Sequence, residues 1–339
     1  MHFLKRLFDE ELDADGDVIV AGTPFQRSRI LAGLEPNDYE DAFSDWWEQR
    51  QDRLLQRADE LLALFDNRER FDRLKAAFRT GSVIPLVGAG LSMPSGYPGW
   101  TPFLRKLCNE SSILKADFET LLAQGEYEEA AQRLFDDSRK LFNEGLVNHF
   151  AGNRNIWGPV QYLPFVFDGT VFTTNFDNVL KRLFDREGKS FDMEMFGDDS
   201  EEFVELLGRG KRVLVRLHGH CDLVKHRVIT RAEYDAAYDF ERLEHLIRDV
   251  VFRKSLLFMG CSLVHDRLQK AMAAFVASGT IKDLVSHFAI AELKDSDDRV
   301  ARRKVLAEAN IFPIWYPQDQ HDEAMEALLL KLAEGVVEL

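Results

Sequence analysis

Short, nearly unbroken apolar runs recur along the chain from residue 82 onward, and amphipathic stretches with helical spacing separate them. Unbroken apolar runs are typical of strands that are buried on both faces of a parallel sheet. The predicted strands are residues 83–87, 171–174, 213–217, 256–259, 287–291 and 311–315. The predicted helices are residues 178–186, 201–207, 241–253, 263–277, 298–309 and 322–333. This alternation predicts an α/β protein with a doubly wound, parallel, Rossmann-like sheet.

Two parts of the chain lack this alternation. Residues 37–79 mix charged residues with apolar and aromatic ones at helical spacing, which predicts one long helix or two shorter ones. We expect residues 1–80 to form an N-terminal helical extension, either a layer on the following domain or an oligomerisation element. Within a second domain of residues 81–339, residues 101–168 contain helical patterns and no convincing strand, which predicts a helical insertion lobe. A ligand cleft would then lie between this lobe and the carboxyl ends of the strands.

Composition limits the partners of the chain. Its 339 residues carry a formal net charge of −15, which argues against direct binding of nucleic acid. No apolar run is long enough to span a membrane, and the three cysteines form no C-x-x-C pair. We therefore expect a cytoplasmic protein without membrane contact. The 26 phenylalanines suggest a large aromatic core or a surface that a sister subunit covers, and we expect a homo-oligomer.

The first predicted strand is followed by the glycine turn Gly88-Ala89-Gly90-x-Ser92. Glycines after a strand let the backbone approach a pyrophosphate, which free N–H groups can then hold. The spacing is neither G-x-G-x-x-G nor a P-loop, and a plain tight turn explains the glycines equally well. The turn therefore indicates a phosphate or dinucleotide site without establishing one.

Polar residues also follow the second predicted strand, in Thr173-Thr174-Asn175-x-Asp177. The Asn175 carboxamide offers both a donor and an acceptor, which suits a ribose hydroxyl or a water molecule. The carboxylate of Asp177 could instead cap the next helix.

The third predicted strand ends before His218, which is followed by Gly219. A histidine at the carboxyl end of a strand is well placed to act as a base, although a turn-capping role is the alternative. His220 and Cys221 add atoms that can bind metals, but no second ligand cluster accompanies them, so no metal site is predicted.

The fourth junction contains Gly260 and Ser262, and Tyr316 lies at the end of the last predicted strand. Ser262 could bind a phosphate or a ribose, or could cap a helix. Tyr316 could pack against an adenine or belong to the core. Because the carboxyl ends of parallel strands meet at one edge of a sheet, we expect all of these residues to share one cleft.

Four motifs follow one another along the chain: Gly88-Ala89-Gly90-x-Ser92, Thr174-Asn175-x-Asp177, His218-Gly219 and Gly260-x-Ser262. Their order resembles that of the sirtuin family and, more closely, of divergent bacterial sirtuin-like proteins that serve in anti-phage defence. The resemblance covers roughly residues 80–318 and leaves the N-terminal 80 residues outside.

The resemblance implies an NAD site with two catalytic residues. By position, Asn175 would hold the nicotinamide ribose and a water molecule, and His218 would act as the general base. The other site residues would bind the nucleotide: Gly88, Ala89, Gly90 and Ser92 at the phosphates, Asp177 at the nicotinamide carboxamide, Gly260, Ser262 and Tyr316 at the adenosine half, and Thr174 as a further cofactor-binding residue.

Two departures from the family bear on the expected reaction. Deacylating sirtuins carry two C-x-x-C pairs in a zinc module after the His-Gly motif, whereas here only Cys221 follows closely, so no zinc is expected. The usual glutamine before the asparagine is Thr174. Both departures favour water over an acyl-lysine peptide as the acceptor.

The resemblance therefore implies an NAD⁺ hydrolase that releases nicotinamide and ADP-ribose. An NAD-depleting enzyme of abortive infection would need gating, by assembly or by a partner such as a HerA-type ATPase or an Argonaute-like protein. The alternatives are an NAD-dependent protein deacylase and a non-catalytic module that senses NAD or ADP-ribose.

Overall fold

The computed structural model describes residues 2–197, 205–206, 209–239, 253–263, 267–278 and 285–337. The predicted helices at residues 201–207 and 241–253 lie almost entirely outside these ranges. No described helix has both the length and the apolar character that a membrane span requires.

Contacts within the chain divide it into two compact units, Met1–Glu60 and Leu61–Leu339. The first unit contains helices His2–Asp13 and Arg27–Leu34, and most of helix Pro36–Leu62. It also contains a hairpin that the sequence did not predict, formed by β1 (Val18–Val20) and β2 (Thr23–Phe25). The rings of Phe8, Tyr39, Phe43 and Trp46 pack together, with Phe8 5.4–5.7 Å from the other three.

The helical pattern of residues 37–79 corresponds to two helices. The first, Pro36–Leu62, runs across the boundary between the units, and the second, Asn67–Arg79, lies wholly in the second unit. The Asn67 side chain is completely buried and exchanges hydrogen bonds of 2.8 and 2.9 Å with the backbone of Trp315. The last helix of the predicted N-terminal extension is thus tied to the core of the second unit.

The second unit is built on a sheet of seven strands, and every neighbouring pair is parallel. The strands are β3 (Val83–Val87), β4 (Val171–Thr173), β5 (Met193–Phe196), β6 (Val213–Arg216), β7 (Ser255–Met259), β8 (His287–Leu293) and β9 (Ile311–Pro317). Their order is β5-β6-β4-β3-β7-β8-β9. The chain builds the sheet from β3 in one direction and then returns to add β7 on its other side, so the predicted doubly wound, Rossmann-like α/β fold is confirmed.

Helices cover the sheet. Between β3 and β4 the chain forms four helices, Trp100–Asn109, Lys115–Ala123, Tyr127–Asp137 and Arg139–Phe150, and the short helix Leu163–Val166. The remaining described helices of this unit are Val179–Arg186, Arg231–Asp239, Arg267–Ala277, Arg299–Glu308 and His321–Ala333. The core of the sheet includes Phe172, Val215, Phe258 and Trp315, each at most 1% exposed.

Pro85 lies inside β3, where a missing N–H would normally interrupt the sheet. The carbonyl of Val87 accepts from Thr174 beside β4, whereas the N–H of Gly88 donates to Met259 of β7. The backbone N–H and C=O groups of alternate β3 residues therefore point to β4 and to β7 in turn, and the backbone of Pro85, like that of Val87, points to β4. Pairing with β4 begins only at Leu86, so the proline faces a position where that ladder has not yet started.

Candidate functional site

Two glycine-containing turns touch each other at the carboxyl ends of β3 and β7. The N–H of Gly90 donates to the carbonyl of Gly260 at 2.9 Å. Gly260 has a φ of +66°, and a Cβ there would lie 2.7 Å from the amide nitrogen of Leu91. A Cβ on Gly88 would lie 2.6 Å from the carbonyl oxygen of Gly260. The turns can approach this closely only because these glycines lack side chains. Packing of the two turns therefore explains the glycines even without a bound ligand.

Asn175 is buried and connects β4 to the glycine turn. Its Nδ2 donates to the carbonyl of Gly88 and to Oγ of Ser92, both at 3.0 Å. Its backbone N–H is held at 3.0 Å by Oγ1 of Thr173. These bonds fix the orientation of the carboxamide, and its Oδ1 makes no hydrogen bond to the described residues. The site therefore presents an oriented acceptor.

Asp177 is also buried, and burial raises the pKa of its carboxyl group. Its Oδ1 accepts from the N–H of Val179 at 2.9 Å, so the helix-capping interpretation of this residue has direct geometric support. The Ser92 hydroxyl accepts from Nδ2 of Asn175, and it also acts to lower the pKa of the Asp177 carboxyl group, against the larger effect of burial. Ser92 thereby links the glycine turn to the β4 junction.

Arg216 is a site residue to which the sequence analysis assigned no role. It is 1% exposed and forms an ion pair with Glu194 of β5. Its guanidinium donates to the carbonyl of Asp177 at 2.8 Å and to Oδ1 of Asn178 at 3.0 Å. A charged residue at the end of an apolar strand is the signal that could have indicated it, because a buried charge needs partners.

His218 follows β6 and is 5% exposed. Burial lowers the pKa of its imidazole to about 4, so the ring is neutral near pH 7 and can accept a proton. Tyr234, from helix Arg231–Asp239, meets it edge to face, with ring centroids 5.2 Å apart. The tyrosine hydroxyl lies 3.4 Å from Nδ1 of His218.

These residues line one cavity of about 1470 Å³, larger than the roughly 300–1,000 Å³ typical of small-molecule pockets. All of the site residues predicted from the sequence line it: Gly88, Ala89, Gly90, Ser92, Thr174, Asn175, Asp177, His218, Gly260, Ser262 and Tyr316. The structure thus brings together residues from five strand ends of one sheet edge.

Part of the cavity lining comes from the helical insertion and is aromatic. Trp100 and Phe150 each pack against Phe176, with ring centroids 6.0 and 5.8 Å apart. Charged side chains also line the cavity, and none of them is among the residues predicted from the sequence: Glu126, Glu128, Arg267, Lys270, Glu292, Lys294, Asp297 and Arg302. The cavity lining therefore combines an apolar surface with several cationic side chains.

One group of three adjacent residues could offer ligand atoms to a metal. Ligand atoms of His220, Cys221 and Asp222 lie within 4.8 Å of one another, and no other such group occurs among the described residues. Nε2 of His220 lies 2.9 Å from Oδ1 of Asn178, and burial raises the pKa of the Cys221 thiol to about 12.

Comparisons with known proteins match part of this chain to one family model and to curated relatives. A family model described as a SIR2-like domain matches residues 169–314. The NAD(+) hydrolase ThsA of Acinetobacter baumannii (strain 532279) is 27% identical over 195 residues, which cover 56% of this chain and 38% of that protein. ThsA of Enterococcus faecium is 22% identical over 213 residues, covering 61% and 43% of the two chains.

The chain thus spans about two fifths of the length of these relatives. A crystal structure of a SIR2 homologue in complex with NAD aligns with 78% of this chain and 94% of its own, with 13% identity and a TM-score of 0.43. Residues 169–314 of this chain thus match a SIR2-like domain, and the similarity to the two ThsA proteins covers 56% and 61% of the chain.

Proposed function

We propose that this protein hydrolyses NAD⁺ at the bond between nicotinamide and ribose, giving ADP-ribose and nicotinamide. The observation that carries the proposal is the placement of Asn175 and His218 beside the paired glycine turns in one large cavity. The relatives named NAD(+) hydrolase support the same reaction.

The reaction needs only binding, orientation and one proton acceptor. The C1′–N bond breaks, its electron pair moves to the nicotinamide nitrogen, and the positive charge of that ring disappears. The ribose carbon left behind has oxocarbenium character, as in other glycosidic cleavages. A water oxygen then bonds to C1′ and releases a proton. NAD⁺ and water thus become ADP-ribose, nicotinamide and one proton.

The geometry of the site supports each proposed role. The bonds from Nδ2 of Asn175 to Gly88 and Ser92 leave Oδ1 as an acceptor for a ribose hydroxyl or the attacking water. His218, neutral because it is buried, takes the proton of that water. Water that bonds to an oxocarbenium-like carbon becomes strongly acidic, so an imidazole with a pKa of about 4 can still take its proton.

The nucleotide is proposed to lie along the strand ends. Gly88, Ala89 and Gly90 present backbone at the phosphates, and Ser92 holds this turn to the Asn175 junction. Ser262 and Tyr316 would contact the adenosine half, and Thr174 and Asp177 would contribute on the nicotinamide side; all four residues line the cavity.

The test is turnover of NAD⁺ by purified Asn175→Ala and His218→Ala variants. Both should lose NAD⁺ consumption by about a hundredfold or more, because each removes an interaction at the reacting centre. Tyr162→Phe is the matched control, since it deletes a buried hydroxyl from a residue that does not line the cavity. Circular dichroism verifies folding. Unchanged NAD⁺ loss in both site variants would refute the assignment.

We also propose that the enzyme serves bacterial anti-phage defence and that assembly or a partner gates it. The support within this chain is an apolar surface on the first unit. Ile19, Val20 and Phe25 of the hairpin are 64%, 51% and 44% exposed, and Leu34 is 74% exposed. Exposed apolar patches of this kind mark interaction sites. A homo-oligomer is the proposed assembly, and a HerA-type ATPase or an Argonaute-like protein is the proposed partner class.

A further inference from the structure

Tyr234 contacts the proposed base from a helix that carries none of the recognised motifs. It lies sixteen residues after His218, on helix Arg231–Asp239, and is 7% exposed. Its ring meets the imidazole at 75°, and its hydroxyl is 3.4 Å from Nδ1. The hydroxyl can donate to this nitrogen or accept from it.

The direction of this hydrogen bond decides whether His218 can act as a base. A neutral imidazole carries its proton on one nitrogen and keeps a lone pair on the other. If Nδ1–H donates to the tyrosine oxygen, Nε2 keeps its lone pair and can accept a proton. If the tyrosine donates to Nδ1, the proton lies on Nε2 and that nitrogen cannot act as a base.

We propose that Tyr234 is a positioning residue that accepts a hydrogen bond from Nδ1–H of His218 and so keeps Nε2 available as the base. This inference rests on the proposed function, because the direction of the hydrogen bond follows from the role of His218 as the base. The tautomer itself is a property of the protein without substrate, and it can be measured whether or not NAD⁺ is consumed.

Charged contacts hold Tyr234 in place. The guanidinium of Arg267 lies 5.4 Å from the centroid of the Tyr234 ring. The same guanidinium donates to Glu128 at 2.7 Å and to Asp235 at 2.6 Å. Arg267 therefore connects the tyrosine helix to helix Tyr127–Asp137 of the insertion.

A second set of contacts fixes the start of the tyrosine helix. The Glu233 carboxylate accepts from the backbone N–H groups of Ile229 and Thr230, both at 3.0 Å. Arg227, which is 3% exposed, pairs with Glu233 at 2.7 Å and donates to Asn143 of the insertion at 2.6 Å. Contacts with the insertion lobe thus help to fix the position of the Tyr234 hydroxyl. Through this hydroxyl the insertion lobe can affect His218.

The test is the ring ¹⁵N spectrum of His218 near pH 7. The chain contains nine histidines, and the His218→Ala variant identifies the signals of interest. In the wild type we expect one dominant neutral tautomer with the proton on Nδ1. Tyr234→Phe keeps the ring and deletes the hydroxyl, so the two tautomers should mix. Tyr162→Phe should leave the His218 signals unchanged.

Kinetics supply a second reading. Tyr234→Phe should lower kcat for NAD⁺ about tenfold with little change in KM, which corresponds to about 1.4 kcal/mol, near the value of one hydrogen bond. A wild-type His218 protonated on Nε2, or an identical tautomer in Tyr234→Phe, overturns the inference. If the tautomer shifts as expected but the wild type never consumes NAD⁺, the proposed function fails and the positioning of His218 stands.

Discussion

The contact between the two glycine turns gives a quantitative prediction for Gly260→Ala. Alanine at a φ of +66° costs about 1–2 kcal/mol, of which the stiffer unfolded chain offsets about 0.4–1 kcal/mol. The new Cβ would also lie 2.7 Å from the Leu91 amide nitrogen and 3.1 Å from the Gly88 carbonyl oxygen. Forcing backbone apart in a packed region costs a further ~1–3 kcal/mol. We therefore expect the unfolding free energy to fall by about 2–4 kcal/mol.

Gly188→Ala separates the two contributions. Gly188 has a nearly identical φ of +69°, but a Cβ there would meet nothing within 4 Å. This variant carries the backbone strain alone, so it should lose about 1 kcal/mol or less. The excess loss in Gly260→Ala then measures the contact between the turns.

The assay is urea unfolding of both variants, combined with calorimetric titration of ADP-ribose. The new Cβ of Gly260→Ala would displace the Gly88–Gly90 turn, which is the proposed phosphate site. Gly260→Ala should therefore also weaken ADP-ribose binding by about tenfold or more, whereas Gly188→Ala should bind ADP-ribose normally. An equal fall in unfolding free energy in the two variants would show that the contact between the two glycine turns does not contribute to stability. Normal ADP-ribose binding by Gly260→Ala would refute the placement of the phosphates.

Two further predictions concern acid stability and assembly. His287 is completely buried, its Nδ1 accepts from the N–H of Leu256 at 3.0 Å, and burial lowers the pKa of its imidazole from 6.5 to about 4. The unfolded chain binds a proton between these values and the folded chain does not, so stability falls as pH falls from about 6.5 to 4. As the pH falls through this window, the unfolding free energy of the wild type, measured in urea, should therefore fall by about 1.4 kcal/mol per pH unit more than that of His287→Gln. Parallel plots of unfolding free energy against pH for the two proteins would exclude the effect. Light scattering should show an oligomer whose NAD⁺ consumption falls on dilution to monomer, and a fully active monomer would contradict gating by assembly. Ile19→Lys should shift that equilibrium towards monomer.

Burial explains which strands the sequence could predict. Six strands of the sheet are apolar runs, and all six lie close to their predicted positions. The seventh, Met193–Phe196, pairs only with β6, and its residues are mostly half-buried or exposed, so no apolar run marks it. The hairpin in the first unit turns at Ala21 and Gly22, both with positive φ. Ala-Gly is a weaker turn signal than Asn-Gly, and Pro24 in β2 obscures the strand further.

The site was predictable where chemistry follows a strand end directly. The predicted residues share a cavity because parallel strands place their carboxyl ends at one edge. Tyr234 and Arg267 were not predictable in this way, since helix packing brings Tyr234 to His218 and Arg267 to Tyr234. Arg216 was visible in the sequence, but its partners Glu194 and Asn178 come from other elements that only the fold brings to it.

The central claim is that this cavity cleaves NAD⁺ with water as the acceptor. The most direct measurement is mass-spectrometric product analysis after incubating the purified chain with NAD⁺, with and without an acyl-lysine peptide, over a range of protein concentrations. Our account predicts nicotinamide and ADP-ribose in equal amounts, independent of the peptide, and no such products from His218→Ala. Formation of O-acyl-ADP-ribose, or NAD⁺ left intact at every protein concentration, would contradict it.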